Sequence, residues 1–170
     1  YASLDDVFAC AEEKGEPPLL LLLDEIEDPH NFGALLRTAD AAGVHGVLVP
    51  ERRGCALTAT VAKTSAGAVE HVRVVRIGNI VQEMKRLKER GLWFVGADMA
   101  GDEDMFHADL TGPLCIVVGS EGKGLGRLVK ETCDFLVRIP MHGAINSLNA
   151  SVAGALLMYE ARRARLLGKA

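Results

Sequence analysis

A run of five leucines, Leu19 to Leu23, is the feature that most constrains the fold of this chain. A continuous apolar stretch of this length is typical of a β-strand that is buried on both faces, as the strands of parallel sheets are. The run is far shorter than the roughly 20 apolar residues that a bilayer span requires. The sequence therefore predicts a central strand in a two-sided sheet, and it predicts no membrane partner.

Strand-like and helix-like segments alternate along the whole chain. The strand-like segments are Leu19 to Leu23, Val47 to Val49, Val72 to Ile77, Leu92 to Ala97, Leu114 to Val118 and Phe135 to Ile139. The helix-like segments are Ser3 to Lys14, Pro29 to Gly43, Thr58 to Ala66, Asn79 to Arg90, Leu125 to Cys133 and Ser147 to Leu166. This alternation is typical of α/β domains. We predict one domain over residues 1–170, with a mostly parallel six-stranded sheet flanked by helices.

The cysteines and the charges exclude some kinds of site. Four cysteines are scattered without a CxxC pair or a histidine at ligand spacing, so no metal site is predicted. Reduced thiols are typical of a cytoplasmic protein. The net charge of −4 neither supports nor excludes an RNA partner. The basic segment from Arg162 to Lys169 is interpreted as a solvated helix face, and the opening residue Tyr1 predicts that the chain is part of a longer protein.

The first segment that could carry chemistry is Asp28 to Asp40, which follows the leucine run and opens a helix. Ligands often gather at such strand-to-helix junctions in open α/β sheets. Asn31 and Arg37 are the polar candidates in it. The alternative is that Arg37 pairs with Asp40 and that Asn31 only caps the helix. The acidic residues before the segment lack the regular ligand spacing of a calcium loop and are interpreted as a solvated loop.

The second segment, Gly119 to Gly126, has four glycines between a strand and a helix. Its backbone amides could bind an anion or approach a ligand closely. Leu125 and Gly126 occupy the positions where a nucleotide-binding Walker loop needs Lys and Ser or Thr, so that class is not favoured. Glu121 would repel a phosphate and suits a ligand with a positive centre.

The third segment runs from Ile139 to Ser151. Ser147 is a plausible helix N-cap, and a hydrolase is disfavoured because there is no GxSxG motif around it. The helix that follows has a stripe of mostly small residues that could pack within the chain or between two subunits. The residues of this stripe are Ala150, Ala153, Gly154, Leu157 and Ala161.

Together the three segments resemble the SpoU (TrmH-like) branch of the SPOUT RNA methyltransferases. The first motif is carried by Asp28-Pro29-His30-Asn31-Phe32-Gly33-Ala34 with Arg37-Thr38-Ala39, and the second by Val117-Val118-Gly119-Ser120-Glu121-Gly122-Lys123-Gly124-Leu125. The third is carried by Ile139-Pro140-Met141 with Ser147-Leu148-Asn149-Ala150-Ser151-Val152-Ala153. The resemblance covers about residues 19–166. It is greatest to the subgroup that methylates a guanosine 2′-hydroxyl in 23S ribosomal RNA.

The resemblance implies a SPOUT fold with a C-terminal trefoil knot, S-adenosyl-L-methionine as cofactor, and a homodimer whose active site draws on both subunits. The matching catalytic positions are Asn31, Arg37, Glu121, Ser147 and Asn149. The matching cofactor positions are Gly119, Gly122, Ile139, Met141 and Leu148. Members of the subgroup usually carry an N-terminal RNA-binding domain, and the given sequence is expected to be the catalytic domain without it. The expected partners are RNA and a second copy of the chain.

The implied reaction is the attack of a ribose 2′-oxygen on the sulfonium methyl group. The family proposal makes the arginine that matches Arg37 the general base. A guanidinium group stays protonated in proteins, so electrostatics favours Arg37 as a clamp on the RNA phosphate. Two other functions stay open, namely a transfer-RNA 2′-O-methyltransferase of the same family and a cofactor- or RNA-binding module that does not methylate.

Overall fold

The computed structural model of the chain describes residues 1–120 and 122–168, which form one parallel sheet with helices on both faces. The strands are β1 Leu19–Asp24, β2 Gly46–Pro50, β3 Val74–Ile77, β4 Trp93–Ala97, β5 Glu103–Asp104, β6 Leu114–Gly119 and β7 Phe135–Arg138. The helices are α1 Leu4–Glu13, α2 Pro29–Ala42, α3 Ala59–Thr64, α4 Ile80–Glu89, α5 Arg127–Thr132 and α6 Ala150–Gly168, with a short 3-10 turn at Ala68–Glu70. The predicted α/β architecture is confirmed.

The sheet has seven strands in the order β3-β2-β1-β6-β4-β7-β5, so the prediction of six was wrong. All pairs of neighbouring strands are parallel. The additional strand is β5, which contains two acidic residues and extends the edge of the sheet beside β7. A strand of two acidic residues has neither apolar alternation nor β-branched residues, and these are the signals by which strands are found in a sequence.

The leucine run forms β1 at the centre of the sheet, between β2 and β6. All of its residues are buried. Leu19, Leu21 and Leu23 contact the core on one face, and Leu20 and Leu22 contact the core on the other. This two-sided burial is the reason for a continuous apolar run rather than an alternating one. The pairing of Asp24 with Gly119 places the carboxyl ends of β1 and β6 side by side.

The strand order reverses beside β1. From β1 the chain proceeds outward through β2 and β3, then crosses to β4 on the other side, and β6 later fills the gap between them. In open α/β sheets, ligands bind in the crevice at the carboxyl ends of the strands where the order reverses. The reversal here lies between β1 and β6, because the chain leaves these two neighbouring strands in opposite directions.

α6 begins at another residue than the sequence indicated, whereas α2 begins at Pro29 as predicted. α6 begins at Ala150, and Asn149 caps it by accepting a hydrogen bond of 2.9 Å from the Ser151 N–H, so the interpretation of Ser147 as the cap was wrong. α2 is capped by Asp28, whose carboxylate accepts the His30 N–H at 2.9 Å. Asn31 lies inside α2, so it is not the cap either.

The small-residue stripe of α6 packs within the chain. A Cβ atom on Gly154 would lie 2.5 Å from a methyl group of Leu35 on α2, so glycine is needed for the two helices to pack this closely. A different face of α6 leaves Val152, Leu156 and Tyr159 exposed. Among the helices of the described segments, none is long and apolar enough to cross a membrane. The C-terminal knot and the cytoplasmic location stay predictions.

Candidate functional site

A cavity of about 400 Å³ lies at the carboxyl ends of β4, β6 and β7. Its wall is formed by the strand ends, the glycine-rich turn after β6 and the chain that enters α6. The residues that line it are Ala97, Asp98, Met99, Val118, Gly119, Ser120, Gly122, Lys123, Gly124, Leu125, Lys130, Val137, Ile139, Met141, Asn146, Ser147, Leu148, Ala150 and Ala153. The cavity shares β6 with the point where the strand order reverses, but it lies on the β4 side of that strand.

The glycine-rich turn folds back on itself over the end of β6. The Gly124 N–H donates a hydrogen bond of 2.7 Å to the Ser120 carbonyl oxygen, and Gly124 has a φ of 65°, which favours glycine. A Cβ atom on Gly119 would lie 2.2 Å from the Gly124 carbonyl oxygen. Gly122, by contrast, faces open space. Glycine at 119 and 124 thus shapes the turn, while glycine at 122 leaves room on its open side.

A buried carboxylate fixes the far end of this turn to the neighbouring strand. Asp24, the last residue of β1, is 5% exposed and accepts a hydrogen bond of 2.7 Å from the Gly126 N–H. Burial raises the pKa of Asp24 above its ordinary value, against the opposing effect of the Gly126 hydrogen bond. The contact joins β1 to the start of α5. Sequence reasoning missed it because Asp24 was interpreted as part of a solvated acidic loop.

The cavity brings together most of the positions that the sequence indicated. All five predicted cofactor positions line it, and so does one predicted catalytic position, Ser147. Ile139, Met141 and Leu148 contribute apolar surface, while Gly119 and Gly122 contribute backbone. Sites of this kind combine a mostly apolar lining with a few polar groups.

Three of the other predicted catalytic positions, Asn31, Arg37 and Asn149, lie outside the lining. Asn31 and Arg37 are on α2, where Asn31 is half-buried and Arg37 is exposed. Arg37 forms no ion pair with Asp40 or with any other described residue, so the pairing alternative was wrong. Asn149 is committed to the cap of α6 through its side-chain oxygen. Glu121 is outside the described residues.

An ion pair at the cavity wall was not anticipated from the sequence. Asp98 directly follows β4, and its carboxylate lies 2.7 Å from the Lys130 ammonium on α5. Burial works to raise the pKa of Asp98, but hydrogen bonds from Lys130 and from the Ala100 N–H outweigh it and lower that pKa. The pair could not be found from the sequence, because the two residues are far apart in the chain and belong to no motif.

No metal centre is formed by the part of the chain that the structure describes. Within residues 1–120 and 122–168, no group of three or more His, Cys, Asp or Glu side chains is arranged to hold an ion. The arrangement around the cavity instead suits an organic ligand, because it offers exposed backbone, apolar side chains and a few charged groups.

The model of one protein family, the SpoU rRNA Methylase family, matches residues 18–159. YacO of Bacillus subtilis, whose name places it in the TrmH family of tRNA/rRNA methyltransferases, is 56% identical over 97% of this chain and 66% of its own. RlmB of Vibrio parahaemolyticus, named as a 23S rRNA (guanosine-2′-O-)-methyltransferase, is 49% identical over 98% of this chain and 66% of its own. The chain thus spans about two thirds of the length of these relatives.

A solved structure has the same fold. The SpoU methyltransferase AviRb of Streptomyces viridochromogenes, in complex with the cofactor AdoMet, superposes with a TM-score of 0.82 at 34% identity. The alignment covers 90% of this chain and 62% of AviRb.

Proposed function

The chain belongs to the SpoU rRNA methylase family, and on that premise we propose that it methylates a ribose 2′-hydroxyl in RNA with S-adenosyl-L-methionine as cofactor. We propose further that the target is a guanosine of 23S ribosomal RNA. The support for this target is the 49% identity to RlmB of Vibrio parahaemolyticus, which is named for that reaction.

The observation that carries the proposal is the cavity in which the five predicted cofactor positions meet. Its volume of about 400 Å³ falls within the range of small-molecule sites, roughly 300–1,000 Å³. The open side of Gly122 lets backbone groups approach a flat base, and Ile139 and Leu148 offer apolar surface to its faces. The residues present therefore fit S-adenosylmethionine.

When bound, S-adenosylmethionine supplies a methyl group that its sulfonium already activates. The protein then has to hold the reacting hydroxyl in line and to remove one proton. Ser147 lines the cavity and has a hydroxyl that can donate or accept a hydrogen bond there. Arg37 is exposed and without an ion partner among the described residues, so its guanidinium is available to an RNA phosphate.

We propose that a second copy of the chain completes the active site. Arg37 and Asn31 do not line the cavity of their own chain. α6, whose first turn borders the cavity, exposes Val152, Leu156 and Tyr159, and Ile145 in the preceding loop is 72% exposed. Apolar residues grouped in this way are typical of an interface. Sedimentation of the purified chain tests the proposal, and a monomer at every concentration would contradict it.

Calorimetric titration of S-adenosylmethionine into the purified chain tests the cofactor, with ATP and NAD as controls. We expect selective binding of S-adenosylmethionine. A folded chain that binds none of the three would contradict the proposed cofactor.

Transfer of a labelled methyl group tests the substrate, with 23S ribosomal RNA and transfer RNA offered separately. We expect label on 23S ribosomal RNA, at the 2′-oxygen of one guanosine. If the label appeared on transfer RNA alone, the proposed substrate would be wrong and transfer RNA would take its place. Cofactor binding without transfer to either RNA would favour a module that does not methylate.

A further inference from the structure

Three charged residues line the cavity within the described part of the chain, and two of them form an ion pair. Asp98 and Lys130 are 2.7 Å apart at the wall formed by β4 and α5, while Lys123 lies in the glycine-rich turn. The Asp98 side chain is 16% exposed and that of Lys130 is 42% exposed. The carboxylate is thus largely withdrawn from solvent, yet it borders the space that a ligand would fill.

The Asp98 carboxylate is held in one position by contacts on several sides. The backbone N–H of Asp98 donates to the Val137 carbonyl oxygen at 3.0 Å, which continues the pairing of β4 with β7 past the end of the strand. One carboxylate oxygen accepts the Ala100 N–H at 2.7 Å, and the other accepts from Lys130. A group fixed in this way loses little further conformational freedom when a ligand binds.

Each oxygen of Asp98 can still accept a hydrogen bond. An ionised carboxylate has about four acceptor sites, and the structure fills one on each oxygen. The group therefore suits a ligand that presents hydrogen-bond donors. It does not suit a phosphate or a second carboxylate.

We propose that Asp98 binds the ribose diol of the cofactor, and that Lys130 is a positioning residue that holds the carboxylate in place for it. The inference rests on the proposed function. Two neighbouring hydroxyls offer two donors to the two oxygens, and acidic residues near a strand end bind ribose hydroxyls in other nucleotide-binding α/β folds. The ammonium group at the amino-acid end of the cofactor is the less suitable donor, because Lys130 would repel it.

Calorimetry with three ligands tests this assignment. The ligands are S-adenosylhomocysteine, 5′-methylthioadenosine (which keeps the ribose but lacks the amino-acid end) and the 2′,3′-dideoxy analogue of S-adenosylhomocysteine. We expect Asp98→Asn to lower the affinity for the first two ligands by about 10- to 100-fold, which is the usual effect of losing hydrogen bonds to a charged group. The dideoxy analogue should bind the variant and the wild type alike.

Asp104→Asn is the matched control. Asp104 accepts the N–H of the residue two positions on, Phe106, at 2.8 Å, just as Asp98 accepts that of Ala100, but it does not line the cavity. The control should bind all three ligands as the wild type does. The ligands are compared only with folded protein, and thermal unfolding of Asp98→Asn shows whether that variant is folded.

Lys130 is tested by two replacements. Lys130→Gln should lower the affinity for S-adenosylhomocysteine and 5′-methylthioadenosine but not for the dideoxy analogue. Lys130→Arg should retain most of the wild-type affinity for all three ligands. A Lys130 that merely supported the fold would instead change the affinity for all three ligands equally.

The outcomes separate this inference from the proposed function. If wild-type protein binds none of the three ligands, both fail. If it binds S-adenosylhomocysteine and folded Asp98→Asn binds it equally well, only the role of Asp98 fails. A loss seen with S-adenosylhomocysteine but not with 5′-methylthioadenosine would move Asp98 to the amino-acid end and overturn the ribose assignment. An equal loss with the dideoxy analogue would overturn it as well.

Discussion

The two ends of the sheet use charged residues in opposite ways. At the amino end, Arg165 and Arg162 on α6 donate to five backbone carbonyl oxygens, one at the end of α2 and four in the neighbouring loops. At the carboxyl end, Asp98 can accept further hydrogen bonds. Arg37, on the exposed side of α2, likewise has no ion partner among the described residues. The same residue types thus serve stability where the chain itself supplies their partners, and they are available to ligands where it does not.

The largest effect on stability is expected from the replacement of Arg165 at the amino end. Arg165 is 5% exposed and donates to Pro17 at 2.6 Å, to Pro18 at 3.1 Å and to Gly112 at 2.5 Å. Arg165→Met would leave these carbonyls without their donor, at a cost of about 3 kcal/mol or more in the free energy of unfolding. Urea unfolding measures this loss. At a temperature where the variant is folded, its affinity for S-adenosylhomocysteine should equal that of the wild type.

The opposite pattern is expected for Arg37, which is exposed on α2. If Arg37 holds the RNA phosphate, Arg37→Ala should lower turnover by about 100- to 1,000-fold, as the loss of an electrostatic contact to reacting groups does. Its melting temperature and its affinity for S-adenosylmethionine should stay near the wild type, because Arg37 is exposed and does not line the cavity. Arg86→Ala on the exposed face of α4 is the control. An equal loss of turnover and cofactor affinity would contradict a role on the RNA side.

Two glycines of the cavity wall, Gly119 and Gly122, test stability and ligand binding together. Gly119→Ala would bring a Cβ atom to 2.2 Å from the Gly124 carbonyl oxygen, so the turn must open. We expect a loss of about 1–3 kcal/mol in stability and weaker binding of S-adenosylhomocysteine. Gly122→Ala meets no atom within 4 Å and should leave the melting temperature unchanged. Equal melting temperatures for the two variants would contradict the close approach in the turn.

Local sequence patterns predicted the centre of the fold and the glycine-rich turn, while the other predicted positions that line the cavity came from the resemblance to a known family. The leucine run specifies a two-sided strand, and the glycines after β6 specify a tight turn. Contacts between distant segments were not predictable in this way. Arg162 and Arg165 were interpreted as part of a solvated helix face, which was wrong for both, since the charge pattern of a helix does not show which carbonyl oxygens lie beside it. Lys169 lies outside the described residues.

The smallest effect is a dependence of stability on pH that arises at the amino end of the sheet. His45 is 1% exposed; its Nδ1 accepts the Leu19 N–H at 2.9 Å, and its Nε2 donates to Glu16 at 2.8 Å. Burial lowers the pKa of His45 below its ordinary value of 6.5, against the opposing effect of Glu16. Protonation would also remove the acceptor of the Leu19 N–H. The unfolded chain therefore binds a proton at a higher pH than the folded chain does.

This contribution to stability is complete above about pH 6.5 and is lost as the pH falls toward the lower pKa of the folded state. The free energy of unfolding should decrease by at most about 1.4 kcal/mol per pH unit in that window. His45→Asn keeps an acceptor for the Leu19 N–H but cannot titrate, so it should remove this slope. His107→Asn, at an exposed histidine, should retain it. Urea unfolding between pH 7 and pH 5 distinguishes the two variants, and an unchanged slope in His45→Asn would assign the pH dependence to other groups. Because the carboxyl end of the sheet contributes no buried histidine among the described residues, the affinity for S-adenosylhomocysteine should change little across the same window.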